Sequence, residues 1–138
     1  MTALPGPSSA SSRCVDDQPR SSTAEAIAVV IRAHRFHHAT ESELQEGIAA
    51  ALVVAGYRVE REVRLSARDR IDLLVDRMIG VEVKIAGEPR AVARQLARYA
   101  ASDQIRGLVL VTNRVRHRPL PLMHGKPVVV ASLLGAGL

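Results

Sequence analysis

Asp72, Glu82 and Lys84 stand in the stretch RIDLLVDRMIGVEVKIAG, whose remaining letters are mostly those of a buried sheet. Read as two strands joined by a loop at Asp76, Arg77 and Met78, the stretch reflects about Arg77 and sets Asp72 opposite Glu82. Side chains alternate between the faces of a strand. Ile71, Leu73, Val75, Ile79, Val81, Val83 and Ile85 would therefore share a core face. Asp72, Leu74, Gly80, Glu82 and Lys84 would share the other. Two carboxylates directly opposite would lie roughly 5 Å apart at Cβ and repel one another. A divalent cation between them turns that repulsion into coordination. Lys84 would point into the same pocket, and Gly80 would leave room beside it. A solvated sheet face with ordinary charges is the alternative. Lysine usage favours the pocket: of 19 basic residues only Lys84 and Lys126 are lysine. A compact ammonium can sit beside a bound water or a phosphate where the bulkier guanidinium acts differently.

The elements that would position these residues can be read around them. TAEAIAVVIRAHRF, from Thr23, carries Ala26, Ile27, Val30, Ile31 and His34 at helical spacing. Arg32, Arg35, His37 and His38 gather towards its C-terminal end, where the helix dipole favours cations. TESE opens a second helix with Thr40 as N-cap and Glu43 as its capping-box partner. Leu44, Ile48, Leu52 and Ala55 form its stripe, and Gly56 is its stop. YRVEREVRLS alternates, with Tyr57, Val59, Val63 and Leu65 on one face, which predicts a half-solvated strand. Strands at about 70–75 and 79–85 follow. EPRAVARQLARYA predicts a helix with Pro89 near its first position and Val92, Leu96 and Tyr99 inward. GLVLVTN predicts a buried strand, RVRHRPLPLMHGKP a basic loop and VVVAS a last strand. The expectation is an α/β protein with a mixed central sheet flanked by helices.

Composition narrows the function classes. A chain of 138 residues is one ordinary domain. Residues 1–23 are Ser- and Pro-rich and predict a disordered tail before a single domain over 24–138. The lone cysteine, Cys14, excludes an internal disulfide and a Cys-rich zinc site. With no Trp and few aromatics, no stacking platform for single strands is visible. The net charge of +5 favours an anionic partner, nucleic acid first. No secretory leader and no apolar run of spanning length are visible, so the expectation is a cytoplasmic protein with no membrane partner.

The pattern Asp72, then Glu82-Val83-Lys84 beyond a short hairpin, resembles the PD-(D/E)XK nuclease superfamily, with Ile71 in the proline position. The order helix, three strands, helix, strand is similar to that family's restriction-endonuclease-like αβββαβ core, over about residues 40–113. Gln95 and Tyr99 resemble the Q-x-x-x-Y element of RecB-like members. Many members carry an acidic residue on the first core helix; Glu41 shares the stripe of Leu44, Ile48 and Leu52, with Glu46 as the rival and Glu43 better explained by capping. The resemblance implies Mg²⁺- or Mn²⁺-dependent hydrolysis of phosphodiester bonds, in DNA rather than RNA. Asp72, Glu82 and the Val83 carbonyl would hold the metal, and Lys84 would position the attacking water, with Gln95 and Glu41 beside it. The Arg90, Arg94 and Arg98 ridge and the loop residues Arg114, Arg116 and Arg118 would follow the phosphate backbone. A homodimer would supply two sites for two strands. The alternatives are a non-catalytic nucleic-acid-binding module of the same fold and a scaffold or oligomerisation domain.

Overall fold

The computed structural model describes residues 22–37, 40–114 and 116–133. Most of the expected N-terminal tail, with Cys14, and residues 38–39, 115 and 134–138 lie outside the described residues.

The chain folds as a six-stranded mixed sheet with helices on both faces. The order of elements is α1 (Ala24–Arg32), α2 (Glu41–Val54), β1 (Val59–Arg64), β2 (Arg70–Val75), β3 (Ile79–Val83), α3 (Pro89–Ala100), β4 (Gly107–Thr112), β5 (Leu122–Met123) and β6 (Lys126–Ser132). The strands lie in the order β1-β2-β3-β4-β6-β5. β1, β2 and β3 form an antiparallel meander, and β3, β4 and β6 run parallel. β5 is a two-residue edge strand inside the segment expected to be a loop; it pairs antiparallel with β6 through Leu122 and Met123. Among the described residues no helix is long and apolar enough to cross a membrane.

α1 and α2 cover one face of the sheet, where Ile27, Ile31, Leu44, Ile48 and Leu52 pack on Leu73, Val81, Val83, Val109 and Val111. α3 covers the other with Val92, Leu96 and Tyr99 against Leu74, Leu108 and Leu110. Two covered faces explain why β3 and β4 are buried along their whole length rather than at alternate residues. α1 starts at Thr23, whose hydroxyl accepts from Ala26 N at 3.1 Å, and ends at Arg32. His34, Arg35 and His37 therefore lie beyond the helix instead of in its last turns. α2 begins as its sequence predicts, with Glu43 N donating to Thr40 Oγ1 at 3.1 Å.

The hairpin turns at Asp76, Arg77 and Met78, and Val75 pairs with Ile79, Leu74 with Gly80 and Leu73 with Val81. Asp76 and Arg77 take φ of 49° and 61°, the left-handed values of a tight hairpin turn. The Asp76 carboxylate ties the turn to the start of β1, accepting from Arg58 N at 2.9 Å and from Ser22 Oγ at 2.6 Å.

Two expectations about faces need correction, and one bend explains both. Ile71 does not share a face with Leu73; it packs in the α3-side core. In β1, Tyr57 and Val59 pack on the α1–α2 side, but Val63 and Leu65 pack on the α3 side. Both strands change sides at the level of Glu62 and Asp72. Glu62 has φ of 53°, and its pair with Asp72 is missing from an otherwise constant register. A left-handed residue interrupts strict alternation, so the far half of the β1–β2 ribbon turns over α3. Gly80 is corrected with it, because it leaves no room beside the site. A Cβ there would overlap Ile71 Cδ1 and come within 2.9 Å of Leu108 Cδ2. The glycine admits the displaced Ile71 side chain.

Candidate active site

Beyond Leu73↔Val81 the β2–β3 ladder stops. At the next rung the carboxylates replace the missing backbone partners. Asp72 Oδ2 accepts from Val83 N at 2.8 Å, and Glu82 Oε1 accepts from Asp72 N at 3.3 Å. The open rung thus draws both acids in towards the sheet, where backbone donors offset part of the cost of burial.

Lys84 follows Glu82 by one full pleat, and its Nζ lies 3.5 Å from Glu82 Oε2. The Lys84 side chain keeps 25% of its surface exposed, whereas the Glu82 side chain keeps 3%. Tyr99, from α3, reaches the same carboxylate. Its hydroxyl accepts from Gln95 Nε2 at 2.7 Å and lies 3.0 Å from the Arg70 carbonyl and 3.4 Å from Glu82 Oε2. Gln95 and Tyr99 are one helical turn apart, which is why they meet. Glu41, in the first turn of α2, accepts from Ile85 N at 2.9 Å. This places Glu41 beside the strand residue that follows Lys84. The rival Glu46 points away and lies 3.8 Å from Arg61, a surface pair.

Electrostatics set the two acids apart from surface carboxylates. Burial first and the Asp72 charge second push the Glu82 carboxyl up to about 8, against the opposing pull of Lys84. Asp72 is raised as well, by burial first, against the pull of the Val83 N–H and Lys84. The Tyr99 hydroxyl is pushed far above its ordinary value by burial and then by the Glu82 charge, so it remains a proton donor. One lysine therefore does not compensate the buried Glu82 and the half-buried Asp72. The pair is short of positive charge.

Beside the pair opens a cleft of about 510 Å³ whose polar lining includes Glu41, Lys84, Glu88, Arg94, Gln95 and Arg98. It lies where β3 runs out into α3, at the carboxyl ends of parallel strands, where open α/β sheets place ligands. The loop after β4 closes one side, with Arg114 Nε donating to the Ile85 carbonyl at 2.8 Å. Of the helix ridge, Arg94 and Arg98 reach the cleft, and Arg98 is held by Asp69 at 2.9 Å. Arg90 is exposed, and it is not among the cleft's lining residues. Arg116 and Arg118 lie on the neighbouring side of α3's first turn, against Pro89.

One residue of the site escaped the sequence reading. Tyr99 did not: its four-residue spacing from Gln95 singled it out, its ring is core, and its hydroxyl reaches Glu82. His117 is 2% exposed although arginines flank it in sequence. Both its ring nitrogens, with Asn113 Oδ1, are buried without a hydrogen-bond partner among the described residues. Nothing in an Arg-His-Arg run announces a buried imidazole.

No protein family, no curated protein and no solved structure matches the chain.

Proposed function

We propose that this chain is a metal-dependent nuclease with a restriction-endonuclease-like core, acting on DNA. The observation that carries the reading is the open rung: a buried and a half-buried carboxylate from adjacent strands, both raised by desolvation, beside a lysine in a cleft. Like charges brought together in this way are a poor structural device and a good cation site. The order of α2, β1, β2, β3, α3 and β4 is the αβββαβ order of that core.

The donors fit a hard divalent cation, since carboxylate and carbonyl oxygens suit Mg²⁺ or Mn²⁺. Asp72, Glu82 and the Val83 carbonyl would hold it. When bound, such an ion supplies Lewis-acid polarisation of a phosphoryl oxygen. Lys84 positions the attacking water and offsets the charge that develops on the scissile phosphate. The Tyr99 hydroxyl, held by Gln95 and Arg70, orients the Glu82 carboxylate. Glu41 anchors the β3 exit through Ile85 N and adds a negative charge at the cleft wall. Arg94 and Arg114 are placed to follow the strand backbone.

One observation favours the second reading, a non-catalytic nucleic-acid-binding module of the same fold. Among the described residues no group of three or more His, Cys, Asp or Glu side chains is arranged to hold a metal. Incubation of the purified chain with linear, branched and single-stranded DNA separates the two. Cleavage with Mg²⁺ that disappears on chelation and in Asp72→Asn and Lys84→Ala supports the nuclease. Salt-sensitive binding with no cleavage under Mg²⁺ or Mn²⁺ supports the binding module.

A further inference from the structure

Between the first turn of α3 and the loop after β4 lies a second, smaller pocket of about 40 Å³. Its lining includes Pro89, Val92, Ala93, Arg116, His117 and Arg118. A water needs about 10–15 Å³ of such space, so the pocket suits a tetrahedral oxyanion. Val92 lines both this pocket and the larger cleft, so the two adjoin.

Two features point to a negative ligand. The His117 ring is buried in the pocket wall, with no hydrogen-bond partner within reach of either nitrogen among the described residues. The Ala86 carbonyl is the nearest acceptor for one nitrogen. Burial and the nearby Arg116 and Arg114 charges favour the neutral ring, so the other nitrogen becomes a donor when an anion brings the ring its proton. Second, the exposed Arg116 and Arg118 line the pocket. The Glu88 carboxylate lines the larger cleft, not this pocket. A buried imidazole beside two guanidiniums is an anion site by chemistry.

We infer that His117, Arg116 and Arg118 form a subsite for a phosphate group of a nucleic-acid strand other than the phosphate cleaved. That the phosphate belongs to a nucleic acid rests on the nuclease reading; that the pocket takes a phosphate does not. The phosphate is either the monoester at a strand end or an internal diester next to the scissile one.

The test uses the full chain carrying Asp72→Asn, without divalent metal, so that no outcome depends on cleavage. Imidazoles are labelled with ¹⁵N, and the His117 signal is assigned by its loss in His117→Gln. Inorganic phosphate is expected to shift the His117 nitrogens towards the imidazolium pattern, leaving His34 and His124 unchanged. His117→Leu should weaken phosphate binding about tenfold. His117→Gln, which keeps a donor, should weaken it less. Arg116→Ala, an exposed change that leaves the fold alone, should weaken it severalfold. Unmoved His117 signals at saturating phosphate, or equal binding by His117→Leu, overturn the subsite whatever the cleavage assays show. Short oligonucleotides with 5′-phosphate, 3′-phosphate or hydroxyl ends then name the source. Shifts only with one phosphorylated end assign a terminal monoester, equal shifts with all three assign an internal diester, and no shift with any overturns the nucleic-acid assignment.

Discussion

Asp72 and Glu82 each hold the backbone of the other's strand: Glu82 Oε1 accepts from Asp72 N at 3.3 Å, and Asp72 Oδ2 accepts from Val83 N at 2.8 Å. The exchange replaces one rung of the β2–β3 ladder. It also brings two acids together that burial makes reluctant to ionise, Glu82 through the Asp72 charge as well. A backbone donor stabilises a carboxylate, but each acid here has one such bond, and the pair has one lysine. On the proposed reading, a cation would supply the charge that the protein leaves uncompensated.

Asp72→Asn separates this charge role from the structural one. The amide oxygen still accepts from Val83 N, so the fold and its thermal transition should stay close to wild type. The site loses one charge. Mg²⁺-dependent cleavage should fall on the order of 100-fold, the usual cost of losing a ligand-shell or electrostatic contact. Circular dichroism and a cleavage time course on one preparation check both halves.

The metal-free chain should lose stability as pH rises from about 4.5 to about 8. The folded Glu82 keeps its proton up to about 8, whereas its unfolded counterpart releases it near the ordinary 4.5. Over that interval the folded state binds more protons, so unfolding becomes easier as pH rises. The contribution is complete below about 4.5 and gone above about 8. Asp72 adds in the same direction, since it is also raised. Urea titrations in a chelating buffer at several pH values should show the decline, and Glu82→Gln should flatten it. Mg²⁺ must displace the proton, so its stabilisation should be larger above pH 8 than at pH 6.

Tyr99→Phe should cost about 1–3 kcal/mol, the penalty for leaving buried polar groups unpaired. The ring and its packing remain, but the Arg70 carbonyl and the Gln95 amide lose the hydroxyl between them. Gln95→Ala should cost less, because Tyr99 keeps Arg70. Denaturant midpoints of the two variants and the double variant give their coupling directly. Equal costs would mean that the hydroxyl is not the hub.

Much of this was readable from the chain, and the failures share a cause. The reflection about Arg77 matched the observed turn and register once a three-residue loop was assumed; alternation alone fixes only the shared face of Glu82 and Lys84. The α2 start followed from Thr40, a local hydrogen bond that sequence encodes directly. Ile71 and Gly80 were misplaced because alternation assumes an unbroken strand, and Glu62 breaks it with a backbone angle that its side chain does not advertise. His117 and the β5 strand depend on which segments pack over the loop after β4, a tertiary matter with no periodicity. The Asp72–Glu82 exchange follows the same bend: periodicity set them opposite, and the opened ladder turned an expected repulsion into a shared site.

Gly80→Ala tests the bend itself. The added methyl would overlap Ile71 Cδ1 and crowd Leu108 and Ile105 from within the α3-side core. Overpacking of this kind costs about 1–3 kcal/mol. Ile71→Val in the same background shortens the clashing side chain and should recover part of the loss. Thermal melts of the single and double variants check this; a second change that only adds to the first would place Ile71 elsewhere.

Arg94 and Arg98 differ in a way that salt dependence can read. Both line the cleft, but Arg98 Nε is engaged by Asp69 at 2.9 Å, while Arg94 is an exposed side chain on the preceding turn. A guanidinium paired with a carboxylate has less charge to offer a phosphate, and a free one releases a counterion when the strand binds. Arg94→Ala should therefore lower the slope of log binding constant against log salt by about 0.7 for single-stranded DNA or about 0.9 for duplex. Arg98→Ala should lower it less, and Asp69→Asn should steepen it by freeing Arg98. Fluorescence anisotropy with a catalytically silent Asp72→Asn background gives all three slopes. If Arg98→Ala lowers the slope more than Arg94→Ala, the strand runs along the Asp69 side of the cleft instead.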